Sequence, residues 1–131
     1  MPGSARGKRR TLAEWTEPPP MSPSAPAPAV LSSDGTLWLA YRIARDPHHC
    51  AVLRFHHVED YVWGHPPSVH VPETAGDLAQ GSFYEVPGGA GRRWLITFPD
   101  AILEVRAADG EVVLRAAAAI APTHALAALL A

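Results

Sequence analysis

Hydrophobic side chains recur at two-residue intervals through much of residues 36–115, and this period constrains the fold more than any other feature of the chain. In residues 36–43, four large hydrophobic residues fall on one face: Leu37, Leu39, Tyr41 and Ile43. Successive side chains of a β-strand point to opposite faces of a sheet, so this spacing predicts half-buried strands rather than helices.

Turn-forming residues divide this alternating region into short strands. Ser33-Asp34-Gly35 precedes the first strand, and Asp109-Gly110 is predicted to be the hairpin turn between the last two, because glycine accepts positive φ. Thr123 is predicted to cap a helix from His124 to Leu130. Six predicted strands lie at residues 36–43, 50–56, 83–86, 93–98, 101–106 and 111–115, and residues 61–63 are a candidate for a further short strand.

These elements predict an α+β, mainly β fold, in which an antiparallel meander sheet of about six strands is followed by one C-terminal helix. We expect the helix to dock on the sheet. The chain of 131 residues has the size of one domain.

The first thirty residues differ in composition from the rest. Seven of the fourteen prolines lie there, including Pro18-Pro19-Pro20. Because proline lacks the backbone donor of a strand ladder, we interpret residues 1–30 as a disordered Pro-rich leader and residues 31–131 as a single β-rich domain. Two alternatives stay open: the leader is a ligand for an aromatic-lined groove, or Met21 is the natural start.

Charge and cysteine content exclude several classes of function. From Thr11 onward the chain holds seven basic against thirteen acidic residues, and a mildly acidic body argues against nucleic-acid binding. No run of eighteen apolar residues exists, so we expect no membrane partner. A single cysteine, Cys50, forms no internal disulfide, which is typical of a cytoplasmic protein. The abundance of Ala, Pro, Arg and Gly indicates a bacterial source.

Histidines are the one concentration of chemically active side chains, since six of the seven lie within residues 48–70. A metal site would use His56, His65 and His70 with a nearby carboxylate, which would make the chain a metal-binding domain or a metal-dependent hydrolase. Against this, His56 and His57 are adjacent in a strand and point to opposite faces, and no compact ligand spacing is present. We therefore interpret these histidines as surface and loop residues, and we expect no cofactor.

Other catalytic patterns are weak. Cys50 follows His48 and His49, but adjacent residues rarely supply a positioned base, so we interpret Cys50 as a small buried residue at the start of a strand. The run Gly88-Gly89-Ala90-Gly91 lacks the Lys and Ser or Thr of a phosphate-binding loop. No catalytic residue is assigned, and an enzymatic role is disfavoured.

Large aromatic residues provide the remaining candidates. Trp94 is predicted to be a core residue, whereas Trp38, Tyr61 and Trp63 are candidate partner-binding residues. We therefore expect a non-enzymatic protein-interaction or self-association module that binds a protein partner or forms a homodimer. A small-ligand binder, with a pocket beneath the long loop of residues 58–81, is a further alternative.

The stretch from Arg92 to Val105, which contains Trp94-Leu95-Ile96 and the reversal Thr97-Phe98-Pro99-Asp100, resembles a motif in small bacterial β-rich proteins of unknown function. The order of Trp63-Gly64-His65-Pro66-Pro67 and Phe83-Tyr84-Glu85-Val86 is similar as well, so the resemblance covers roughly residues 36–107. It implies no assigned activity, and it therefore transfers no catalytic residues.

Overall fold

The computed structural model describes residues 13–22, 27–64, 81–86, 92–99 and 101–130. The single helix among these residues is α1, Pro122–Leu130, and it begins two residues before the predicted start. The strands are β1 (Ala13–Glu14), β2 (Ala29–Ser33), β3 (Thr36–Arg42), β4 (His49–His56), β5 (Asp60–Gly64), β6 (Phe83–Val86), β7 (Arg92–Thr97), β8 (Ile102–Ala107) and β9 (Asp109–Ala118).

The nine strands form two antiparallel sheets. The five-stranded sheet has the order β1-β6-β7-β8-β5, and the four-stranded sheet has the order β2-β3-β4-β9. The mainly β fold, the antiparallel pairing and the C-terminal helix are confirmed. Each sheet contains a meander of three consecutive strands, to which strands distant in sequence are added at the edges, so the strands are more numerous than predicted and divide into two layers.

The main core lies between the two sheets. From the four-stranded sheet, the inward face of β3 carries Leu37, Leu39 and Tyr41, all almost completely buried, as the alternation predicts. From the other sheet, Trp94 is fully buried and its ring centroid lies 5.1 Å from that of Phe55. The burial of these apolar side chains is the main force that holds the sheets together.

Helix α1 covers the opposite face of the four-stranded sheet. Ala125 and Leu126 are buried there in a second cluster with Ala40, Cys50 and Val52 of β3 and β4. The order of layers is therefore five-stranded sheet, four-stranded sheet and helix. None of the helices in the described ranges is both long enough and apolar enough to cross a membrane.

The predicted hairpin at Asp109-Gly110 is wrong. Strand β9 does not return along β8 but pairs with β4, where Gly110 lies opposite Phe55. A Cβ atom at Gly110 would lie 2.8 Å from the Phe55 ring and 3.2 Å from the Trp94 ring. The absence of a side chain at Gly110 allows two aromatic rings to approach the backbone. An Asp-Gly pair in a sequence does not show whether its glycine serves a turn or a close approach of this kind.

The turn predicted at Ser33-Asp34-Gly35 is confirmed. Asp34 and Gly35 have φ angles of 51° and 78°, and they join β2 to β3 in a hairpin in which Ser33 faces Thr36. Two successive positive φ angles match the right-handed twist of the strands, and Asp-Gly adopts them readily.

Part of the segment interpreted as a leader contributes to the core. Trp15 is buried, with its ring centroid 5.9, 6.4 and 5.8 Å from those of Phe55, Phe83 and Trp94. The Pro19 carbonyl accepts a hydrogen bond of 2.7 Å from the Tyr41 hydroxyl. A proline has no backbone N–H to donate, but its carbonyl can accept a hydrogen bond. A high proline content therefore does not prevent a segment from packing against the core. Residues 1–12 and 23–26 lie outside the described residues.

Candidate functional site

Strand β5 is one edge of the five-stranded sheet. It pairs with β8 along one side, from Asp60 opposite Arg106 to Gly64 opposite Ile102. Within the described ranges no strand pairs with its other side. An edge strand of this kind presents a row of backbone N–H and C=O groups that another chain can pair with.

The side chains of β5 are apolar and exposed. Tyr61, Val62 and Trp63 retain 40%, 46% and 42% of their accessible surface. Three consecutive exposed hydrophobic residues on an edge strand are unusual, because natural edges are generally short, charged or covered. The same residues would be an aggregation hazard unless they served an interaction.

The two faces of β5 are chemically different. Tyr61 lies opposite Val105 and Trp63 opposite Leu103, and both of these β8 residues belong to the main core. Directly paired residues project to the same face of a sheet, so the two aromatic side chains extend the inner face past the edge of the core. Val62 lies opposite Glu104 and projects to the outer face.

A contact with the following turn orients Trp63. Its ring centroid lies 5.3 Å from that of Phe98, at an interplanar angle of 48°. Phe98 is buried, and its backbone N–H donates to the Ala101 carbonyl at 2.8 Å, which closes the turn between β7 and β8. One side of the Trp63 ring is therefore supported while much of the ring stays open to solvent, and this arrangement reduces the entropy lost when a partner binds.

Acidic residues occur only at the start of the edge. An Arg106 guanidinium nitrogen lies 2.7 Å from a Glu59 carboxylate oxygen, and another lies 3.9 Å from a carboxylate oxygen of Asp60. The hydrogen bond to Glu59, supported by Asp60, raises the pKa of Arg106 above its usual value. The three central residues of β5 carry no charge, so this part of the strand lacks the charged side chains that commonly prevent edge pairing.

Trp38 lies away from this edge. It is half-buried on the helix-facing side of the four-stranded sheet, and the Arg54 guanidinium carbon lies 5.2 Å from its ring centroid. The structure therefore places Tyr61 and Trp63 on the same strand but separates Trp38 from both. A partner-binding role for each of the three stays a prediction.

Near Trp38, the outer face of β4 and β9 carries a cluster of ionisable groups. Arg54 donates to the Glu111 carboxylate at 3.0 and 2.7 Å, and His56 Nε2 contacts the same carboxylate oxygen. The contacts with His56 and Arg54 lower the pKa of Glu111 below its usual value. The cluster joins two paired strands, and its geometry is that of a surface ion-pair network.

The predicted metal site is only partly visible. His56 contacts Glu111 as described above, whereas His65 and His70 lie outside the described residues. In the part of the chain that the structure describes, no group of three or more His, Cys, Asp or Glu side chains is placed to hold a metal ion. The metal-binding role of these three histidines stays a prediction.

The structure confirms Cys50 as a small buried residue. It is fully buried at the beginning of β4, and its thiol donates to the Ala119 carbonyl with a sulfur–oxygen distance of 3.6 Å. Burial raises the pKa of the Cys50 thiol. A nucleophilic cysteine requires the opposite shift, because the thiolate is the reactive form.

A second apolar surface lies between β2 and α1. It is a groove of about 410 Å³, lined on the strand side by Leu31 and on the helix side by Leu126 and Leu130. Thr123 is the one hydroxyl-bearing side chain in its lining. The pocket predicted beneath residues 58–81 cannot be identified with this groove, and residues 65–80 of that loop lie outside the described ranges.

The sequence analysis identified Tyr61 and Trp63 but missed Val62, the most exposed of the three. A signal was present, since an uninterrupted apolar triplet lacks the alternation of a strand with one buried face. Comparison of the chain with protein-family models, with curated proteins and with solved structures finds no match.

Proposed function

We propose that this protein is a non-enzymatic interaction module that binds a polypeptide by adding it as a strand at the edge of β5. The supporting observation is that this edge, which is unpaired within the described residues, carries three consecutive exposed apolar side chains, Tyr61, Val62 and Trp63. In strand addition, backbone hydrogen bonds supply affinity and alternate side chains supply specificity.

Backbone hydrogen bonds and side-chain contacts would contribute differently to binding at this edge. The edge of β5 is five residues long, so a bound strand completes only a short ladder and backbone pairing alone gives weak affinity. Tyr61 and Trp63 project to one face, where they offer adjacent aromatic surfaces to alternate side chains of the partner. Aromatic anchors of this kind dominate the energetics of many protein interfaces.

The edge of β5 suits a polypeptide better than a nucleic acid. Strand addition uses backbone amide groups on both sides, which nucleic acids lack, and two acidic residues, Glu59 and Asp60, lie at the start of the edge. Phosphate binding requires the opposite charge. On composition, with Cys50 as the single thiol, we also assign the module to the cytoplasm of a bacterium.

Selection from a phage-displayed library of random dodecapeptides tests the proposal. We expect selected peptides with alternating apolar residues that bind the wild-type protein and lose binding to the V62K variant. L31K is the matched control, because Leu31 lies on an edge strand of the other sheet and is exposed by 42%, close to the 46% of Val62. A selection in which no peptide depends on Val62, or in which L31K has the same effect, would contradict the proposal.

A further inference from the structure

We infer that the strand added at β5 is the β5 strand of a second copy of this chain, so that the two five-stranded sheets join into one continuous sheet. The inference rests on the proposed function and names its partner. The joined strands run antiparallel about a two-fold axis that passes next to Val62. Three properties of the edge support this arrangement: its register, its side-chain pairs and its charge.

Symmetry limits the register. A two-fold axis perpendicular to the sheet pairs residues that project to the same face, so a residue of β5 lies either on the axis or an even number of positions from its partner residue. With Val62 on the axis, all five residues from Asp60 to Gly64 find a partner. An axis at Tyr61 or Trp63 leaves part of the strand unpaired.

The side chains are self-complementary in this register. Tyr61 faces the partner's Trp63, and Trp63 faces the partner's Tyr61, so two aromatic pairs form on the inner face. Val62 meets the partner's Val62 on the outer face. The Phe98 ring centroid lies 5.3 Å from that of Trp63, so the indole is supported on one side before association.

Charge also favours antiparallel over parallel pairing. In the antiparallel register Asp60, the one charged residue of β5, lies opposite the partner's Gly64. A parallel arrangement would place the two Asp60 carboxylates side by side, and like charges directly opposite each other are destabilising. Arg106 offsets the charge of Asp60 and Glu59 within each copy.

The other sheet edges are less suited to self-pairing. Strand β1 is only two residues long and contains the exposed Glu14, and β2 ends in two exposed serines. Strand β9 is longer but carries Glu111 and Arg115 on its surface. Among the described edges, β5 is the one with three consecutive exposed hydrophobic residues.

Cysteine cross-linking tests the position of the axis. In the proposed dimer the two Val62 Cα atoms lie at an antiparallel cross-strand distance, within the range that a disulfide spans. We expect the V62C variant to form a covalent dimer under mild oxidation, and L31C to stay monomeric. The native Cys50 does not compete because it is fully buried. Equal cross-linking of V62C and L31C, or none with V62C, would overturn the register.

Charge exchange at the same position provides a second, independent test by native mass spectrometry. We expect the wild-type protein to dimerise from its 14.0 kDa monomer, V62K and V62E each to be monomeric, and an equimolar mixture of the two variants to form a heterodimer. Circular dichroism of each variant checks its folding. A mixture that stays monomeric beside a dimeric wild type would overturn the inferred axis.

These outcomes separate the inference from the proposed function. A wild-type protein that is monomeric at every concentration, while selected peptides bind in a Val62-dependent manner, overturns the second copy as partner and leaves strand addition standing. A wild-type dimer that V62K leaves intact, together with peptides insensitive to V62K, overturns both.

Discussion

At the level of single residues, Gly110 lets β9 approach the aromatic core closely. The missing side chain leaves room for the rings of Phe55 and Trp94, which would otherwise lie 2.8 and 3.2 Å from a Cβ atom. Close-packed cores resist added volume, because neighbouring rings must leave their preferred positions to accommodate it.

Replacement of this glycine is therefore expected to destabilise the fold. We predict that G110A lowers the free energy of unfolding by about 1–3 kcal/mol, measured by urea denaturation. G35N is the control, because Gly35 has positive φ but no atom within 4 Å of its missing Cβ, and Asn tolerates that conformation. A G110A protein as stable as the wild type would show that the rings move aside freely.

The carboxylate of Glu111 makes stability depend on pH. Its contacts with His56 and Arg54 hold its pKa below the ordinary value of 4.5, so the folded state is favoured while the group is ionised. We predict that wild type exceeds E111Q in unfolding free energy by less than about 1 kcal/mol at neutral pH, because the groups are partly exposed. The difference should vanish as the pH falls through the lowered pKa.

Thermal unfolding of both proteins at a series of pH values measures this effect, with E14Q as the control for an exposed glutamate in β1. A difference between wild type and E111Q that grows on acidification would have the wrong sign for a carboxylate with a lowered pKa.

Trp63 is the expected anchor for a bound strand. We predict that W63A weakens binding of a selected peptide about thirtyfold, which corresponds to about 2 kcal/mol, as measured by calorimetry. Because the side chain is exposed by 42%, its loss should affect stability less than removal of a core tryptophan. L130A removes a comparably exposed side chain in α1 and should leave binding unchanged.

At the level of elements, residues 13–22 behave as part of the sandwich. Trp15 contacts aromatic rings from both sheets, and the Arg115 guanidinium donates to the Glu17 carbonyl at 3.0 Å. We predict that W15A costs about 3–5 kcal/mol of unfolding free energy, because it leaves a large cavity. A chain that starts at Met21 should lose a similar amount.

T16A is the control for this prediction, because Thr16 is exposed and adjacent to the tryptophan. Urea denaturation that gives the same midpoint for W15A and wild type would mean that residues 13–22 are dispensable for the core.

How much was predictable differs from one element to the next. The hairpin of β3 and β4 was predictable from two apolar runs on either side of a turn. Leu37, Leu39 and Tyr41 alternate in β3, whereas β4 is apolar on both faces because the helix covers one of them. The pairing of β9 with β4 was not predictable. An Asp-Gly pair next to a strand looks the same in sequence whether the chain forms a turn there or the glycine allows close packing. The edge position of β5 was also not predictable, because a strand's period gives its faces but not its neighbours in the sheet.

At the level of the whole molecule, the three layers determine where an interaction can occur. Helix α1 covers one face of the four-stranded sheet, and the two sheets cover each other's inner faces. The outer face of the five-stranded sheet, which carries the cluster of Val86, Leu95 and Ile102, and the sheet edges remain. Of the described edges, that of β5 is the one with exposed aromatic residues. An antiparallel sandwich leaves such edges unless it closes or covers them.

Residue-resolved amide hydrogen exchange tests most directly whether β5 is the binding edge. The protein is compared when dilute, when concentrated, and with a selected peptide added. We predict that amides of residues 60–64 directed away from β8 gain protection in at least one of the latter two conditions, while edge amides of β2 and β9 do not change. Protection that appears on β2 or β9 instead, or no new protection on β5 in either condition, would contradict the account.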